Sequence, residues 1–344
     1  MLAALLHAPK PVEEEPLLLS QIAAPAPHGR EIRVRVRACA ICHTDLHTVE
    51  GEIPLPKLPI VPGHQIVGVV DACGPEARRF REGDRVGVAW LHQACRDCVY
   101  CRSGNENLCE SAQFTGLHAD GGYAEFTLVD EDFAYSLPQS FSDLQAAPLL
   151  CAGVIGYRAL RMTGLRGGER LGLYGFGASA HLVIQIARHR QCEVYVFTRD
   201  AEHQDHARAL GAAWVGRAED APARRLQAAI IFAPAGRLVL EALRVLDRGG
   251  RVILAGITMT PIPEIDYSTL LYHERGLQSV ANATRKDAEE LLALAPEVPL
   301  RADIRVFPFS QVNFALRQLK HSRIRGCGVL AIGSSKTGAE VRGS

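Results

Sequence analysis

The run Gly175-Phe176-Gly177-Ala178-Ser179-Ala180 lies between an apolar stretch with strand character, 170–174, and an apolar stretch with helix character, 180–190. Strand, glycine turn and helix in that order open a βαβ unit, and no other feature constrains the fold of this chain as much. The next strand is predicted at 192–198. A second half follows, with a strand at 228–233, a helix at 238–246, the turn Arg248-Gly249-Gly250 and a strand at 251–257. Two such halves predict an α/β fold with a doubly wound parallel sheet.

The turn matches G-x-G-x-x-G/A in the context that the fingerprint requires. Its glycines let the backbone bend sharply and approach a pyrophosphate, and the following helix start offers free N–H groups and a positive dipole end. A dinucleotide is therefore predicted against Gly175, Phe176, Gly177, Ala178, Ser179 and Ala180. Ala255, Gly256 and Ile257, closing the strand predicted at 251–257, are further candidates for cofactor contact. A carboxylate at the end of the second strand selects NAD by accepting from the ribose hydroxyl. Here Thr198 and Arg199 hold that place, which leans towards NADP, with Asp200 on the ribose as the competing reading.

At 344 residues the chain is long enough for two domains. Residues 1–147 read as β-rich, with strands at 32–38, 65–72, 85–90 and 123–129. A helical stretch at 145–162 leads into the βαβ region, so the expected divisions are 1–147, 148–284 and 285–344. The last part carries a helix at 286–295, a strand at 304–307, a helix at 311–320 and a final strand, and is expected to return to the first domain. The polar tail from Ser334 is expected to fray. With 38 basic and 38 acidic residues there is no field to attract nucleic acid, and no apolar run reaches membrane-spanning length unbroken. The opening MLAALLHAPK lacks a basic start and a cleavage site, so a cytoplasmic protein is expected.

Four of the ten cysteines fall in one loop, Cys95, Cys98, Cys101 and Cys109, spaced C-x2-C-x2-C-x7-C. Tight turns bring sulfurs two residues apart to one side, which suits a tetrahedral zinc knuckle of four thiolates. A nucleic-acid-binding zinc ribbon is the rival from another class, and the charge balance counts against it.

With the knuckle and the glycine turn in hand, the chain resembles the zinc-dependent medium-chain alcohol dehydrogenase family over nearly its whole length. The resemblance is carried by Arg37-Ala-Cys-Ala-Ile-Cys42-His-Thr-Asp-Leu-His47, Pro62-Gly-His64-Gln-Ile-Val-Gly68, Gly83-Asp84-Arg85-Val86, the four-cysteine loop, Ala147-Pro-Leu-Leu-Cys151-Ala-Gly153 and the glycine turn. It implies a GroES-like, β-rich catalytic domain interrupted by a Rossmann domain. It also implies Cys42, His64 and Cys151 as ligands of a catalytic zinc, a Cys2His set that leaves a fourth position open. Two zinc ions per chain follow, one catalytic and one structural.

The implied reaction is reversible hydride transfer between a small alcohol and NAD(P), the metal polarising the alcohol oxygen. An NADPH-dependent aldehyde reductase and a polyol dehydrogenase are the alternatives within the family. The resemblance further implies a proton relay from Thr44 through the nicotinamide ribose to His47, Asp45 orienting His64, His43 at the pyrophosphate and Trp90 in the substrate pocket. A homodimer or homotetramer is implied as well.

Two departures stand out. Gln65 replaces a glutamate common in relatives beside the metal, and Cys327 falls where many relatives place a pyrophosphate-binding arginine, leaving Arg325 as a substitute.

Overall fold

A computed structural model describes residues 1–333, and the tail expected to fray lies outside the described residues. The chain opens with a hairpin, β1 (Leu2–Leu6) and β2 (Leu17–Gln21). Then come β3 (Glu31–Ile41), α1 (His43–Glu50), β4 (Gln65–Cys73), β5 (Arg85–Val88), β6 (Leu91–Gln93), α2 (Val99–Arg102), β7 (Gln113–Phe114), β8 (Phe126–Asp130) and β9 (Ala134–Ser136). Helices α3 (Asp143–Ala146) and α4 (Ala152–Thr163) lead to β10 (Arg170–Tyr174), α5 (Ala180–His189), β11 (Glu193–Phe197), α6 (Ala201–Ala209) and β12 (Trp214–Gly216). The remainder is β13 (Leu226–Ile231), α7 (Leu238–Val245), β14 (Leu246–Leu254), β15 (Gly276–Ser279), α8 (Arg285–Leu294), β16 (Ile304–Pro308), α9 (Val312–Lys320) and β17 (Cys327–Ala331).

Two sheets organise these elements. Along β3 the side chains alternate, with Ile32, Val34 and Val36 buried and Arg35 and Arg37 outward, the period of a half-buried strand. It lies within a seven-stranded sheet of order β16-β17-β3-β4-β5-β9, with β8 also paired to β3. Its antiparallel register with β4 runs from Ile32↔Cys73 to Ala40↔Gln65. The end of β3 therefore meets the start of β4, and Cys42 and His64, one just past and one just before these strands, become neighbours 22 residues apart in sequence.

The second sheet is parallel throughout, in the order β12-β11-β10-β13-β14-β15. Its central strands are buried on both faces, which is why β10, β11 and β13 read as nearly unbroken apolar runs. The strand order reverses between β10 and β13, where doubly wound sheets bind their ligands. The glycine turn follows β10 at that point.

Two differences from the sequence reading stand out. The helix predicted at 145–162 is broken at Cys151, whose φ of −138° and ψ of −66° separate a 3-10 turn, Ala147–Leu150, from α4. The strand predicted at 251–257 starts earlier and ends at Leu254, taking Arg248-Gly249-Gly250 into β14 through a register shift against β13. Ala255, Gly256 and Ile257 thus lie beyond the strand. Among the described residues no helix is long and apolar enough to cross a membrane.

Candidate active site

Cys42 is the N-cap of α1, and a capping box closes around it. Its thiol accepts from the Thr44 N–H at 3.3 Å, while its own N–H donates to Asp45 Oδ2 at 2.9 Å. A helix start aimed at a sulfur favours the thiolate. The other oxygen of Asp45 accepts from His64 Nδ1 at 2.9 Å, so the imidazole turns its bare Nε2 towards Cys42 Sγ, 3.2 Å away. This is the arrangement by which a carboxylate fixes the tautomer of a metal-binding histidine. Burial disfavours a charged ring, yet Asp45 and Cys42 hold the His64 pKa above its usual range in the metal-free protein. Burial pushes the Cys42 thiol up, as does its hydrogen bond with Cys151.

His64 is delivered by Pro62-Gly63, where Gly63 has φ +95° and a Cβ would come within 2.4 Å of the Tyr123 ring. Only glycine fits that bend. Cys151 arrives through the helix break, completing a set in which Cys42, His64 and Cys151 offer ligand atoms all within 4.8 Å of one another. Gln65 Oε1 accepts from the Ala152 N–H at 3.5 Å, beside Cys151. Trp90 meets His64 edge-on at 4.8 Å and stacks on Phe114 at 5.1 Å, so an aromatic wall flanks the cluster. The stacking partner Phe114 follows from the pairing of β6 with β7, a two-residue strand too short to read from sequence. Removing the orienting charge by Asp45→Asn is expected to lower metal affinity and turnover by about 10–100-fold, checked by metal titration and kcat.

Thr44 is buried on α1, while His47, one turn further on, bonds through Nδ1 to Glu52 at the surface. His43, the first residue of α1, has its pKa lowered, first by burial and then by His47, whose ring lies 6.5 Å away.

The second cluster lies in the loop around α2. Cys95 and Cys101 Sγ are 3.8 Å apart, the edge of a tetrahedron with Zn–S bonds of about 2.3 Å. All four sulfurs of Cys95, Cys98, Cys101 and Cys109 lie within 4.8 Å of one another. Backbone N–H groups turn inward on them: Cys98 N–H to Cys95 Sγ at 3.3 Å, Cys101 N–H to Cys98 Sγ at 3.5 Å and Cys95 N–H to Cys109 Sγ at 3.5 Å. Such donors from Asp97 and Cys98 bring the Cys95 thiol down to about 6. The loop is tied to the rest of the chain by Glu106, which accepts from the Arg285 N–H at 2.9 Å, and by Asn107 Nδ2 on Ala281 O at 2.7 Å.

The glycine turn is open for a ligand. Gly175 has φ +86°, and a Cβ on Gly177 would meet no protein atom within 4 Å. The N–H groups of Gly177, Ala178 and Ser179 donate to no described protein group, so the turn presents a row of donors as an anion requires. Phe176 and Ala180 are buried beneath it. The turn is joined to the metal cluster through α4, which starts after Cys151 and lies against Ser179 at Gly156, where a Cβ would come within 2.6 Å of Val183. Five residues of helix span about 7.5 Å, which sets the scale of that separation.

At the end of β11 the Thr198 N–H donates to Gly216 O, and Arg199 is exposed with no ion-pair partner among the described residues. Asp200 caps α6, its Oδ1 accepting from the His203 N–H at 2.9 Å. Cys327 is buried in β17 with its thiol pushed up by burial, while Arg325 Nε donates to Asp303 Oδ2 at 3.2 Å.

Comparison with known proteins agrees with this geometry. The family profile described as "Alcohol dehydrogenase GroES-like domain" matches residues 28–139, and "Zinc-binding dehydrogenase" matches residues 180–297. The chain is 46% identical over 329 residues to the Mycobacterium tuberculosis protein named "Probable alcohol dehydrogenase AdhA", covering 94% of this chain and 95% of that one. It is 34% identical to an alcohol dehydrogenase of Geobacillus stearothermophilus, over 93% of this chain and 97% of the other. Among solved structures, a cinnamyl alcohol dehydrogenase of Sorghum bicolor superposes with a TM-score of 0.88 at 28% identity, covering 98% and 99% of the two chains. The alcohol dehydrogenase of Aeropyrum pernix gives 0.85 at 27%, over 96% of this chain and 100% of that one. The likeness to these relatives covers nearly the whole chain, and this chain belongs to the zinc-dependent medium-chain alcohol dehydrogenase family.

Proposed function

We propose that the chain interconverts small primary or secondary alcohols with aldehydes or ketones, with NAD(P) as hydride carrier and two zinc ions, one catalytic and one structural. The observation that carries the reading is the Cys42, His64, Cys151 cluster with its imidazole oriented by Asp45. Two thiolates and one imidazole hold zinc and leave the fourth position for the alcohol oxygen. Bound zinc supplies Lewis-acid polarisation of that oxygen, and bound nicotinamide takes the hydride.

The chain's own residues manage the rest. Thr44, inside the site, takes the alcohol proton, and His47, bonded to Glu52 at the surface, passes it to solvent. Trp90 and Phe114 exclude water and bound the substrate. Gly175 to Ala180 and His43 hold the pyrophosphate, and Ala255, Gly256 and Ile257 border the cofactor beyond β14. Thr198 and Arg199 favour NADP, a reading supported by the engagement of Asp200 in capping α6. The divisions 1–147, 148–284 and 285–344 belong to the same proposal, as do a cytoplasmic location and assembly into a homodimer or homotetramer. The use of six cysteines as metal ligands supports a reducing compartment. Assembly is supported by the unpaired edge strand β15 and the exposed Ile257, Tyr267 and Tyr272 beside it.

Absorbance at 340 nm over a panel of short and aromatic alcohols tests the reading. Alcohol-dependent reduction, with a higher kcat/KM for NADP⁺ than for NAD⁺, is expected; no reduction of either cofactor by a zinc-loaded protein would overturn it. Gln65→Glu places a negative charge beside a ligand set that is formally neutral with zinc bound. At an effective dielectric of about 20 such a charge at about 5 Å raises the pKa in the pH–rate profile by about two units.

A further inference from the structure

Residues 301–303 form a strap between the two sheets. The Arg301 N–H donates to Gln185 Oε1 at 3.0 Å, and Arg301 O accepts from Gln185 Nε2 at 2.9 Å. Ala302 makes the same double contact with Gln145, at 3.0 Å in each direction. The Asp303 N–H donates to His181 Nε2 at 3.2 Å, and Asp303 O accepts from the Cys327 N–H at 2.8 Å. Three consecutive residues outside any helix or strand thus have every backbone donor and acceptor filled, mostly by side chains. Gln185 and His181 stand on α5, the helix that follows the glycine turn, whereas Gln145 stands on α3 and Cys327 on β17.

His181 carries this tie into the turn itself. Its Nδ1 is 3.2 Å from Gly177 O, which can only accept, and its Nε2 faces the Asp303 N–H, which can only donate. The ring is therefore neutral with its proton on Nδ1. The Asp303 carboxylate reaches the turn by a second route: Oδ2 lies 2.8 Å from His206 Nε2, and the His206 ring stands edge-on to Phe176 at 5.4 Å. Two consecutive residues of the turn, Phe176 and Gly177, are each touched by an imidazole whose far side is held by Asp303.

We propose that Asp303, acting through His181 and His206, is a positioning residue for the dinucleotide, fixing the glycine turn relative to the sheet that ends at Cys42 and His64. The inference rests on the dinucleotide reading above. A turn so held presents the Gly177 to Ser179 N–H groups without reordering, and loosening it weakens binding more than the step that follows.

The test uses the full-length, zinc-loaded chain. Dissociation constants for NADPH and NADH are measured by fluorescence, with kcat and KM alongside. Asp303→Ala is expected to raise the cofactor Kd and KM about tenfold, the loss of one charge-assisted contact, while kcat at saturation stays within about twofold. Asp303→Asn keeps an oxygen for His206 and is expected to restore most of the affinity. A cofactor Kd within twofold of the unaltered protein in folded Asp303→Ala would overturn the proposal. Should that variant fail to fold, His206→Phe keeps the packing on Phe176 and removes the ring nitrogen that faces Asp303: a threefold or larger rise in Kd supports the proposal, and an unchanged Kd overturns it. If the unaltered chain binds neither cofactor, the dinucleotide reading itself fails.

Discussion

Cys151→Ser is expected to abolish one zinc site and lower kcat/KM by at least about a thousandfold, with little loss of stability. Polarisation by the metal is worth several kcal/mol of barrier, and each 1.36 kcal/mol is tenfold in rate. Serine replaces a thiolate with a neutral hydroxyl, leaving Cys42 and His64 as an incomplete pair. Stability is spared because Cys151 sits in a break between helices rather than in a ladder of backbone bonds, and its neighbours Leu149 and Leu150 keep their buried places. Metal analysis, steady-state kinetics and a thermal melt on one preparation check all three parts. A variant that keeps two zinc ions and its turnover would remove Cys151 from the ligand set.

Cys98→Ser is expected to do the reverse: a large loss of stability, with turnover of the surviving folded protein within about threefold. The loop from Cys95 to Cys109 has almost no core of its own, for Val99 is 71% exposed and Tyr100 and Leu108 are open to solvent. What orders it is the metal. Structural zinc contributes about 10–16 kcal/mol in small isolated domains. Even if half of that is recovered by the contacts of Glu106 with Arg285 and of Asn107 with Ala281, about 5 kcal/mol is lost. For a chain of this size the melting temperature then falls by about 5–10 °C. An unchanged melting curve, with one zinc ion fewer, would show that the loop folds without its metal.

These opposite outcomes reflect how differently the two sites are written in the sequence. The four-cysteine loop is local, so its spacing alone announces it. Cys42, His64 and Cys151 are spread along the chain, and their meeting depends on the β3–β4 register and on the helix break at Cys151. A stretch at 145–162 reads as one helix from its Ala and Leu content, whereas Pro148 and Gly153 flank the break that the structure places at Cys151. Helix α1 carries little sequence signal, since His43 to Glu50 is mostly polar, and its start is a capping box in which cysteine takes the place of serine or threonine.

The parallel sheet was the most legible part. Strand β10 falls where its apolar run predicts, and the helix after the glycine turn begins at Ala180 as read. Central strands buried on both faces leave a continuous signal, whereas the β1–β2 hairpin joins two short runs across ten residues, too long a connection for a two-residue hairpin turn to mark it. The strap at 301–303 left no trace at all, because glutamine and histidine side chains reading a backbone have no periodicity.

Zinc K-edge absorption spectroscopy on the purified protein tests the central claim most directly, since it reports the ligand atoms rather than the activity. Full occupancy of both clusters predicts two zinc ions per chain, with three sulfurs at about 2.3 Å and one lighter atom at about 2.0–2.1 Å per zinc on average. A shell of four sulfurs per zinc, or one made mainly of oxygen and nitrogen, would contradict the pairing of a four-thiolate site with an open Cys42, His64, Cys151 centre.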